Sequence, residues 1–301
     1  MKKILLPTRL ILFSVALIFA SCLRLDDQFF NTEKIDHYAL DDYSGERELK
    51  DMPAQYGVDA EKINILKLRS DDYGDVQDIY AIYLGEIDSI SMDTVILYCH
   101  GNKHHMDLYW NRAKLLAQVN GRHNYGVLMM DYRGFGMSTG ETTESGMYAD
   151  VNTCMSWLKS KGLTGDRLVI YGYSLGSASA ATWCATTGAL RPQKIILEAP
   201  FSSSAAMIND AAVAALPAIY FTGVKVNVGE KIKSVHQPLC WLHGINDDFL
   251  EINSHGEVVF ANHPGPMKIA YRIPDAVHNN VPSVMGYETY LGALGSFIRQ
   301  P

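Results

Sequence analysis

Six short, continuous apolar runs between residues 94 and 273 constrain the fold of this chain more than any other feature. Strands that are buried on both faces of a sheet have such runs, whereas strands with one solvated face alternate apolar and polar residues. Segments with helical periodicity separate most of the runs, so the pattern predicts a mostly parallel central sheet with helices on both faces. The runs are TVILY (94–98), YGVLMMDY (125–132), RLVIYGY (167–173), KIILEA (194–199), PLCWLH (238–243) and MKIAYRI (267–273).

Two earlier runs alternate instead, INILKL from Ile63 and DIYAIYL from Asp78, as is typical of antiparallel strands with one solvated face. Residues 23–55 are polar and acidic, and we expect a tether and an irregular lead-in there. With 301 residues, 48% of them hydrophobic, the chain can bury one large core. The sequence therefore predicts one α/β domain over residues 56–301, with antiparallel strands at its N-terminal side.

The helical segments each present one apolar face. In residues 106–121 that face ends before Gly121, a residue typical of a helix stop. Similar faces occur within residues 144–162 and 287–298, and each helix is expected to pack on the sheet through its apolar face. The apolar positions of the first helix are Leu108, Leu115, Leu116 and Val119.

The N-terminus has the features of an export signal. Two lysines precede the apolar stretch LILFSVALIFA (10–20), which is too short to span a bilayer comfortably. The stretch runs into FASC, which resembles a bacterial lipobox, although that pattern prefers an aliphatic residue where this chain has Phe19. We expect residues 1–22 to be a lipoprotein signal peptide, and lipid on Cys22 to anchor an exported protein to a bacterial membrane on its periplasmic or cell-surface side. The alternatives are an ordinary secretory signal and an uncleaved anchor.

Composition argues against several other classes of function. The formal net charge is -7 and lysine and arginine do not cluster, so a nucleic-acid partner is not expected. The cysteines after Cys22 form neither a CxxC pair nor a Cys/His cluster of zinc-ligand type, and we expect neither a metal nor an organic cofactor. Buried thiols are the simplest interpretation, although an exported protein could oxidise a pair. These residues are Cys99, Cys154, Cys184 and Cys240.

The third buried run ends in Gly172-Tyr173-Ser174-Leu175-Gly176, which matches G-x-S-x-G. A nucleophile on a sharp strand-to-helix turn adopts a strained backbone, and only very small residues fit two positions before and after it. Such a turn exposes the Ser174 hydroxyl and directs the N–H of Leu175, at a helix N-terminus, toward a reacting oxygen. The motif alone is common by chance, but the strand before it and the helix-compatible stretch after it favour a nucleophile elbow.

A nucleophilic serine needs a base and an orienting carboxylate. Asp247 follows PLCWLH, and His278 follows the last strand, so both are expected beside Ser174 at the carboxyl edge of the sheet. Asp248 is an alternative acid on spacing alone. His243 also ends a strand but precedes the acid in the chain, which makes it a poorer candidate for the base.

An oxyanion hole requires two converging N–H donors. Leu175 supplies one, and the loop after TVILYC, where Gly101 allows a close turn, makes Asn102 the candidate for the other. Three histidines in and after this loop could suggest a metal site, but no carboxylate completes the set at helical spacing, so a metal is not expected. They are His100, His104 and His105.

Taken together, these motifs resemble the α/β-hydrolase superfamily over roughly residues 60–300. The chain is most similar to the branch of membrane-associated abhydrolase-domain serine hydrolases that includes protein acyl-thioesterases. The resemblance implies Ser174 as nucleophile, Asp247 as acid and His278 as base, with oxyanion donors at Asn102 and Leu175. It rests on HGN (100–102), DYRGFGMSTG (131–140), GYSLG (172–176), EAPF (198–201), HGIND (243–247) and HNN (278–280).

The expected activity is hydrolysis of an ester or thioester through an acyl-enzyme, acting on a small-molecule or acylated substrate. A peptidase or amidase of the same fold, and a non-catalytic surface lipoprotein, are the alternatives. A small cap insertion over about residues 201–237 could shape an acyl pocket, or could be a helix that only packs on the core. Its candidate lining residues are Met207, Leu216, Ile219, Tyr220 and Phe221.

Overall fold

The computed structural model describes residues 30–121, 125–211 and 224–301. An eight-stranded sheet with the order β1-β2-β4-β3-β5-β6-β7-β8 forms its centre. β1 pairs antiparallel with β2, and β2 with β4, while every other neighbouring pair in this order is parallel. The predicted fold class is therefore confirmed. The strands are β1 Ile63–Asp72, β2 Asp75–Leu84, β3 Val95–Cys99, β4 Gly126–Met130, β5 Leu168–Tyr173, β6 Lys194–Glu198, β7 Leu239–Gly244 and β8 Lys268–Ile273.

Helices cover both faces of this sheet, as the continuous apolar runs predict. The expectation of burial on both faces was wrong for β8, because this strand lies at the edge of the sheet and most of its residues are only partly buried. Side chains alternate along β3, so Leu97 packs in the core beneath α2 and α3, whereas Tyr98 packs in the core beneath α1 and α8. The α-helices are α1 Met106–Leu116, α2 Glu144–Ser160, α3 Gly176–Ala185, α4 Ser204–Ala211, α5 Val228–Lys231, α6 Gly256–Asn262, α7 Val281–Met285 and α8 Tyr287–Arg299.

The hairpin of β1 and β2 is longer than the sequence indicated. β2 begins at Asp75 rather than at Asp78, and Asp72 pairs directly with Asp75. Tyr73 and Gly74 between them both have positive φ, 51° and 96°, which is the backbone of a two-residue hairpin turn that continues the strand twist. The turn therefore extends the ladder into residues whose polar side chains do not alternate with apolar ones.

Residues 30–56, here called the N-terminal strap, pack over α1 rather than away from the domain. The Asp107 carboxylate accepts hydrogen bonds from the N–H groups of Ala39 (3.0 Å) and Leu40 (2.8 Å). Glu48 of the strap contacts Arg112 at 3.1 Å and is itself buried. As a result every residue of α1 is buried, including its charged ones, and the expectation of a single packed face was wrong for this helix.

The described part of the predicted cap comprises α4, α5 and the residues around them. Met207 of α4 is partly buried against the core. The four other candidate lining residues lie outside the described residues, as does Cys22 with the rest of the expected signal peptide. Among the described residues, no helix has both the length and the apolar character needed to cross a membrane. Cys99, Cys154, Cys184 and Cys240 are free, buried thiols.

Candidate active site

Ser174 occupies a sharp turn between β5 and α3. Its φ is 49°, a left-handed value that L-residues with side chains rarely adopt, and its N–H donates to the Glu198 carbonyl at 3.0 Å. A Cβ on Gly172 would lie 2.8 Å from the Gly176 carbonyl oxygen, and a Cβ on Gly176 would overlap the Cys99 carbonyl of β3. Both glycines are therefore required by the close approach of strand and helix backbones around Ser174.

His278 joins Ser174 to Asp247. The Ser174 hydroxyl donates to His278 Nε2 at 3.0 Å, and His278 Nδ1–H donates to Asp247 Oδ2 at 2.8 Å. The three side chains come from loops that follow β5, β7 and β8, because neighbouring parallel strands end at the same edge of the sheet. This arrangement has the connectivity of a nucleophile, a base and an orienting acid.

The loop after β7 fixes Asp247. Oδ1 of Asp247 accepts hydrogen bonds from the backbone N–H groups of Phe249 (3.0 Å) and Leu250 (2.8 Å). Burial alone would raise the pKa of Asp247, but hydrogen bonds from His243 and His278 outweigh burial and hold that pKa well below its ordinary value. Asp248, the alternative acid, is exposed to solvent. Of the two neighbouring aspartates, Asp247 is the one that contacts His278.

His243, which the sequence analysis set aside as a base, contacts the same carboxylate. It is fully buried at the end of β7, and its Nε2 lies 3.0 Å from Asp247 Oδ2 and 3.0 Å from the Leu250 carbonyl oxygen. The four-residue spacing of His243 and Asp247 was visible in the sequence, but a loop does not have a helical period. That spacing therefore gave no reason to expect contact.

The two candidate oxyanion donors follow neighbouring strands, Leu175 after β5 and Asn102 after β3. Leu175 is the N-cap residue of α3, so its N–H is at the positive end of that helix. Asn102 follows β3, and its Oδ1 accepts the backbone N–H of Asn31 from the N-terminal strap at 3.0 Å. The His104 N–H donates to the Asn31 carbonyl at 2.9 Å, which ties the same loop to the strap a second time.

The histidines near this loop have separate partners. His100 is fully buried, with Nε2 3.1 Å from Asp131 Oδ1 and its ring stacked on Tyr109 at 4.7 Å. His104 Nδ1 lies 2.6 Å from Glu33 Oε2, in a partly exposed position. Within residues 30–121, 125–211 and 224–301, no group of His, Cys, Asp and Glu is arranged to hold a metal ion.

Comparisons with known proteins agree with this fold. A profile of the family described as "Serine aminopeptidase, S33" matches residues 91–237. The esterase Pf2001 of Pyrococcus furiosus has a TM-score of 0.64 at 16% identity, over 90% of this chain and 96% of that one. The esterase RhEst1 of Rhodococcus sp. ECU1013 has a TM-score of 0.56 at 17% identity, over 78% and 98%. The chain has the α/β-hydrolase fold.

Sequence relatives support the same superfamily. Alpha/beta hydrolase domain-containing protein 17B of Homo sapiens is 27% identical over 206 residues, which are 68% of this chain and 66% of the human protein. Uncharacterized protein YfhR of Escherichia coli O157:H7 is 27% identical over 67% of this chain and 69% of its own length. The chain thus spans slightly less than two thirds of its human relative. At the level of the family, these matches support a hydrolase of the serine type.

In this α/β-hydrolase domain, Arg112 of α1 links the nucleophile side of the site to the histidine side. Its guanidinium is fully buried, pairs with Glu198 at the end of β6, and donates from Nη2 to the Asn279 carbonyl at 3.1 Å. The backbone of Glu198 accepts the Ser174 N–H, and Asn279 is next to His278. One buried cation therefore contacts the His278 loop directly and reaches the Ser174 turn through Glu198, a connection the sequence did not indicate.

Aromatic rings flank His278 on two sides. The Tyr173 ring lies 5.5 Å from the imidazole, and the Phe249 ring meets it edge-on at 5.1 Å. Phe249 is 53% exposed, which is unusual for so large an apolar side chain on a loop held by hydrogen bonds to Asp247. These two rings limit sideways movement of the His278 imidazole, and the exposed part of Phe249 leaves an apolar surface beside it.

Proposed function

We propose that this protein is a serine hydrolase that cleaves an ester or thioester bond of an acylated substrate. The observation that carries the proposal is the continuous hydrogen-bonded chain from Ser174 Oγ through His278 to Asp247, at a strained turn that ends a buried strand. A serine held this way at positive φ costs stability, and such strain concentrates at functional sites. The α/β-hydrolase relatives support the same class of chemistry.

The mechanism follows from the positions of the protons. His278 Nε2 takes the proton from Ser174 Oγ as that oxygen bonds to the carbonyl carbon, and Asp247 stabilises the resulting imidazolium. The N–H groups of Leu175 and Asn102 stabilise the oxyanion. When the tetrahedral intermediate collapses, the bond to the leaving group breaks and His278 delivers its proton to that group. Water, deprotonated by His278, then cleaves the acyl–Ser174 ester and releases the acid.

The proposal is tested by hydrolysis of p-nitrophenyl esters of increasing acyl length, with the full chain in detergent. We expect turnover that depends on Ser174, and Ser174→Ala to reduce it to the level of the blank. A maximum at long chains would favour lipid-like or acyl-protein substrates, and a maximum at short chains would favour small esters. Turnover of Ser174→Ala equal to that of the wild type would falsify the mechanism.

Amide cleavage is the second candidate, because the matching family profile is described as a serine aminopeptidase. An aminopeptidase must hold a free substrate ammonium, commonly with carboxylates at the mouth of the pocket. Glu251 in the acid loop accepts hydrogen bonds from Ser254 and Asn253, so it is already engaged locally. Aminoacyl p-nitroanilides assayed beside the esters distinguish the candidates: amide turnover above ester turnover would favour the peptidase.

We also propose that the protein is exported and anchored by lipid on Cys22. The support is the sequence alone: the basic N-terminus, the apolar stretch and the small residues before Cys22. Expression in a bacterium fed an alkyne-tagged fatty acid should label the wild type and leave Cys22→Ala unlabelled. Equal labelling of both proteins would contradict lipidation at this residue.

A further inference from the structure

The buried His243 imidazole contacts Asp247 and has no role in the reaction as described. It is fully buried, and a Cβ on Gly256 of α6 would overlap its Nδ1, so backbone closes that side of the ring. Among the described residues, Nδ1 has no hydrogen-bond partner. A buried polar atom without a partner costs free energy, so a side chain placed here needs a compensating contact elsewhere.

That contact is at Nε2. Nε2 lies 3.0 Å from both the Leu250 carbonyl oxygen and Asp247 Oδ2, which are both acceptors, so the proton of the ring is on Nε2. The Leu250 N–H in turn donates to Asp247 Oδ1 at 2.8 Å. His243, Leu250 and Asp247 thus form a closed ring of polar contacts that fixes both oxygens of the carboxylate.

Asp247 Oδ2 is also the oxygen that accepts from His278 Nδ1 at 2.8 Å. Two imidazoles therefore share one carboxylate oxygen, one from the triad and one from behind it. Because the charge of the carboxylate is divided between two donors, its hold on a protonated His278 is weaker than that of an unshared aspartate.

From this geometry we infer that His243 is a positioning residue of the active site: through Nε2–H it orients Asp247 toward His278 and sets the pH at which the base becomes available. This inference rests on the proposed function. The other charged groups near His243 are Glu257 of α6 and Arg272 of β8, its register partner, and these two pair with each other at 2.7 Å. Asp247 is therefore the charged group that His243 contacts directly.

The test compares His243→Gln with His243→Asn. The amide nitrogen of Gln reaches the position of Nε2 and keeps a donor there. The amide nitrogen of Asn reaches only the position of Nδ1, which has no hydrogen-bond partner among the described residues. The readout is the rate at which a fluorophosphonate phosphonylates Ser174, measured from pH 5 to pH 9 on the full chain. In that reaction Ser174 Oγ bonds to phosphorus, fluoride leaves, and His278 takes the hydroxyl proton.

We expect His243→Asn to be labelled about tenfold more slowly than the wild type, the loss expected for one hydrogen bond to a charged group. The acid limb of its profile, the pH range in which labelling slows as the pH falls, should move to higher pH. The reason is that the full charge of the Asp247 carboxylate then favours protonated His278. His243→Gln should recover most of the rate and the wild-type limb. His263→Asn is the matched control, because His263 is also buried and its Nε2 contacts the Gln237 carbonyl at 2.9 Å. His263 precedes the N-terminal end of β8, whereas the candidate active site lies beyond the carboxyl ends of the strands.

The outcomes are separable from failure of the proposed function. If the wild type is not labelled at Ser174, the proposed function fails. If the wild type is labelled and His243→Asn has the same labelling rate and the same acid limb, His243 has only a structural role and the inference is overturned. A lower melting temperature of His243→Asn with an unchanged acid limb would also overturn the inference. Should His243→Asn not fold, His243→Met, which fills the space without a donor, takes its place against His243→Gln.

Discussion

At the scale of single residues, the site depends on positions where a side chain is excluded or held from several directions. Ser174 has a left-handed φ, and Gly172 and Gly176 leave room for the backbones that pass beside it. Asp247 receives hydrogen bonds at both oxygens. These features fix the reacting atoms before a substrate binds, so they contribute preorganisation rather than binding energy.

The nucleophile turn should not tolerate a methyl group at Gly176. Gly176→Ala places Cβ against the Cys99 carbonyl of the neighbouring strand, and we expect a loss of about 2–4 kcal/mol in the free energy of unfolding, as for overpacked buried sites. Gly292→Ala, on the exposed side of α8 with nothing within 4 Å of the new Cβ, should be neutral or slightly stabilising. Urea unfolding measures both, and equal stabilities would contradict the packing described for the turn.

The two adjacent aspartates should differ sharply. Asp247→Asn should lower kcat by about 10³–10⁴-fold, because an amide no longer stabilises the imidazolium or its tautomer. Asp248→Asn, at an exposed position, should stay within about twofold of the wild type. Steady-state ester hydrolysis measures both, and a larger loss from Asp248→Asn would make Asp248 the acid.

Asp247 should also affect acid stability. Its folded-state pKa lies below its ordinary value, so the ionised carboxylate stabilises the fold at pH values above the unfolded pKa. That contribution is lost as the pH falls through the folded-state value. The difference in unfolding free energy between wild type and Asp247→Asn should therefore shrink between pH 5 and pH 2, and a difference that grows with acid would contradict the assigned direction.

Three residues of the candidate site could be predicted from the sequence because they follow the ends of predicted strands. Ser174 directly follows a predicted strand, and Asp247 and His278 lie in the loops after two others, so chain order and sheet topology suffice to bring them to one edge. His243 and Arg112 could not be identified in this way. The contact of His243 depends on the path of a loop, and that of Arg112 depends on how α1 lies across the sheet.

At the scale of elements, the N-terminal strap is the feature least visible in the sequence. Its polar and acidic composition is typical of an exposed linker. The strap nevertheless covers the outer side of α1 and contacts the loop that carries Asn102. The apolar face of α1 was predictable from its period, whereas the burial of the charged Arg112 and Lys114 depends on the groups that surround them. Carboxylates at Asp41 and Glu48 of the strap pair with those two cations.

The attachment of the strap should depend on Asp107. Asp107→Ala leaves the Ala39 and Leu40 N–H groups without their acceptor, and we expect a loss of about 2–3 kcal/mol in unfolding free energy. Amide exchange across residues 30–56 should rise with it. Asp42→Ala, an exposed residue of the same turn, is the control and should change neither. Unchanged exchange in Asp107→Ala would mean that other contacts hold the strap.

At the scale of the whole molecule, the strap relates the active-site edge to the proposed anchor. Asn31 contacts Asn102 beside the candidate oxyanion hole, and it lies nine residues after Cys22. Nine residues reach about 30 Å when fully extended. If Cys22 carries lipid, the mouth of the site therefore stays within about that distance of the membrane surface, whichever way the domain turns.

This reach predicts a preference for substrates presented by a membrane. The lipidated protein should hydrolyse an ester embedded in vesicles faster than Cys22→Ala does, whereas a water-soluble ester should be hydrolysed equally by both. The ratio of the two rates is the measurement, because it cancels differences in the amount of active enzyme. An equal ratio for both proteins would remove any role of the anchor in presenting substrate.

Mapping a covalent adduct tests whether Ser174 is the nucleophile of a hydrolase. The protein would be treated with a fluorophosphonate at increasing ratios, and the modified peptide and the remaining ester hydrolysis would be measured on the same samples. We expect one adduct, on Ser174, with hydrolysis falling in proportion to its occupancy. An adduct on another residue, or hydrolysis that persists when Ser174 is fully modified, would contradict it.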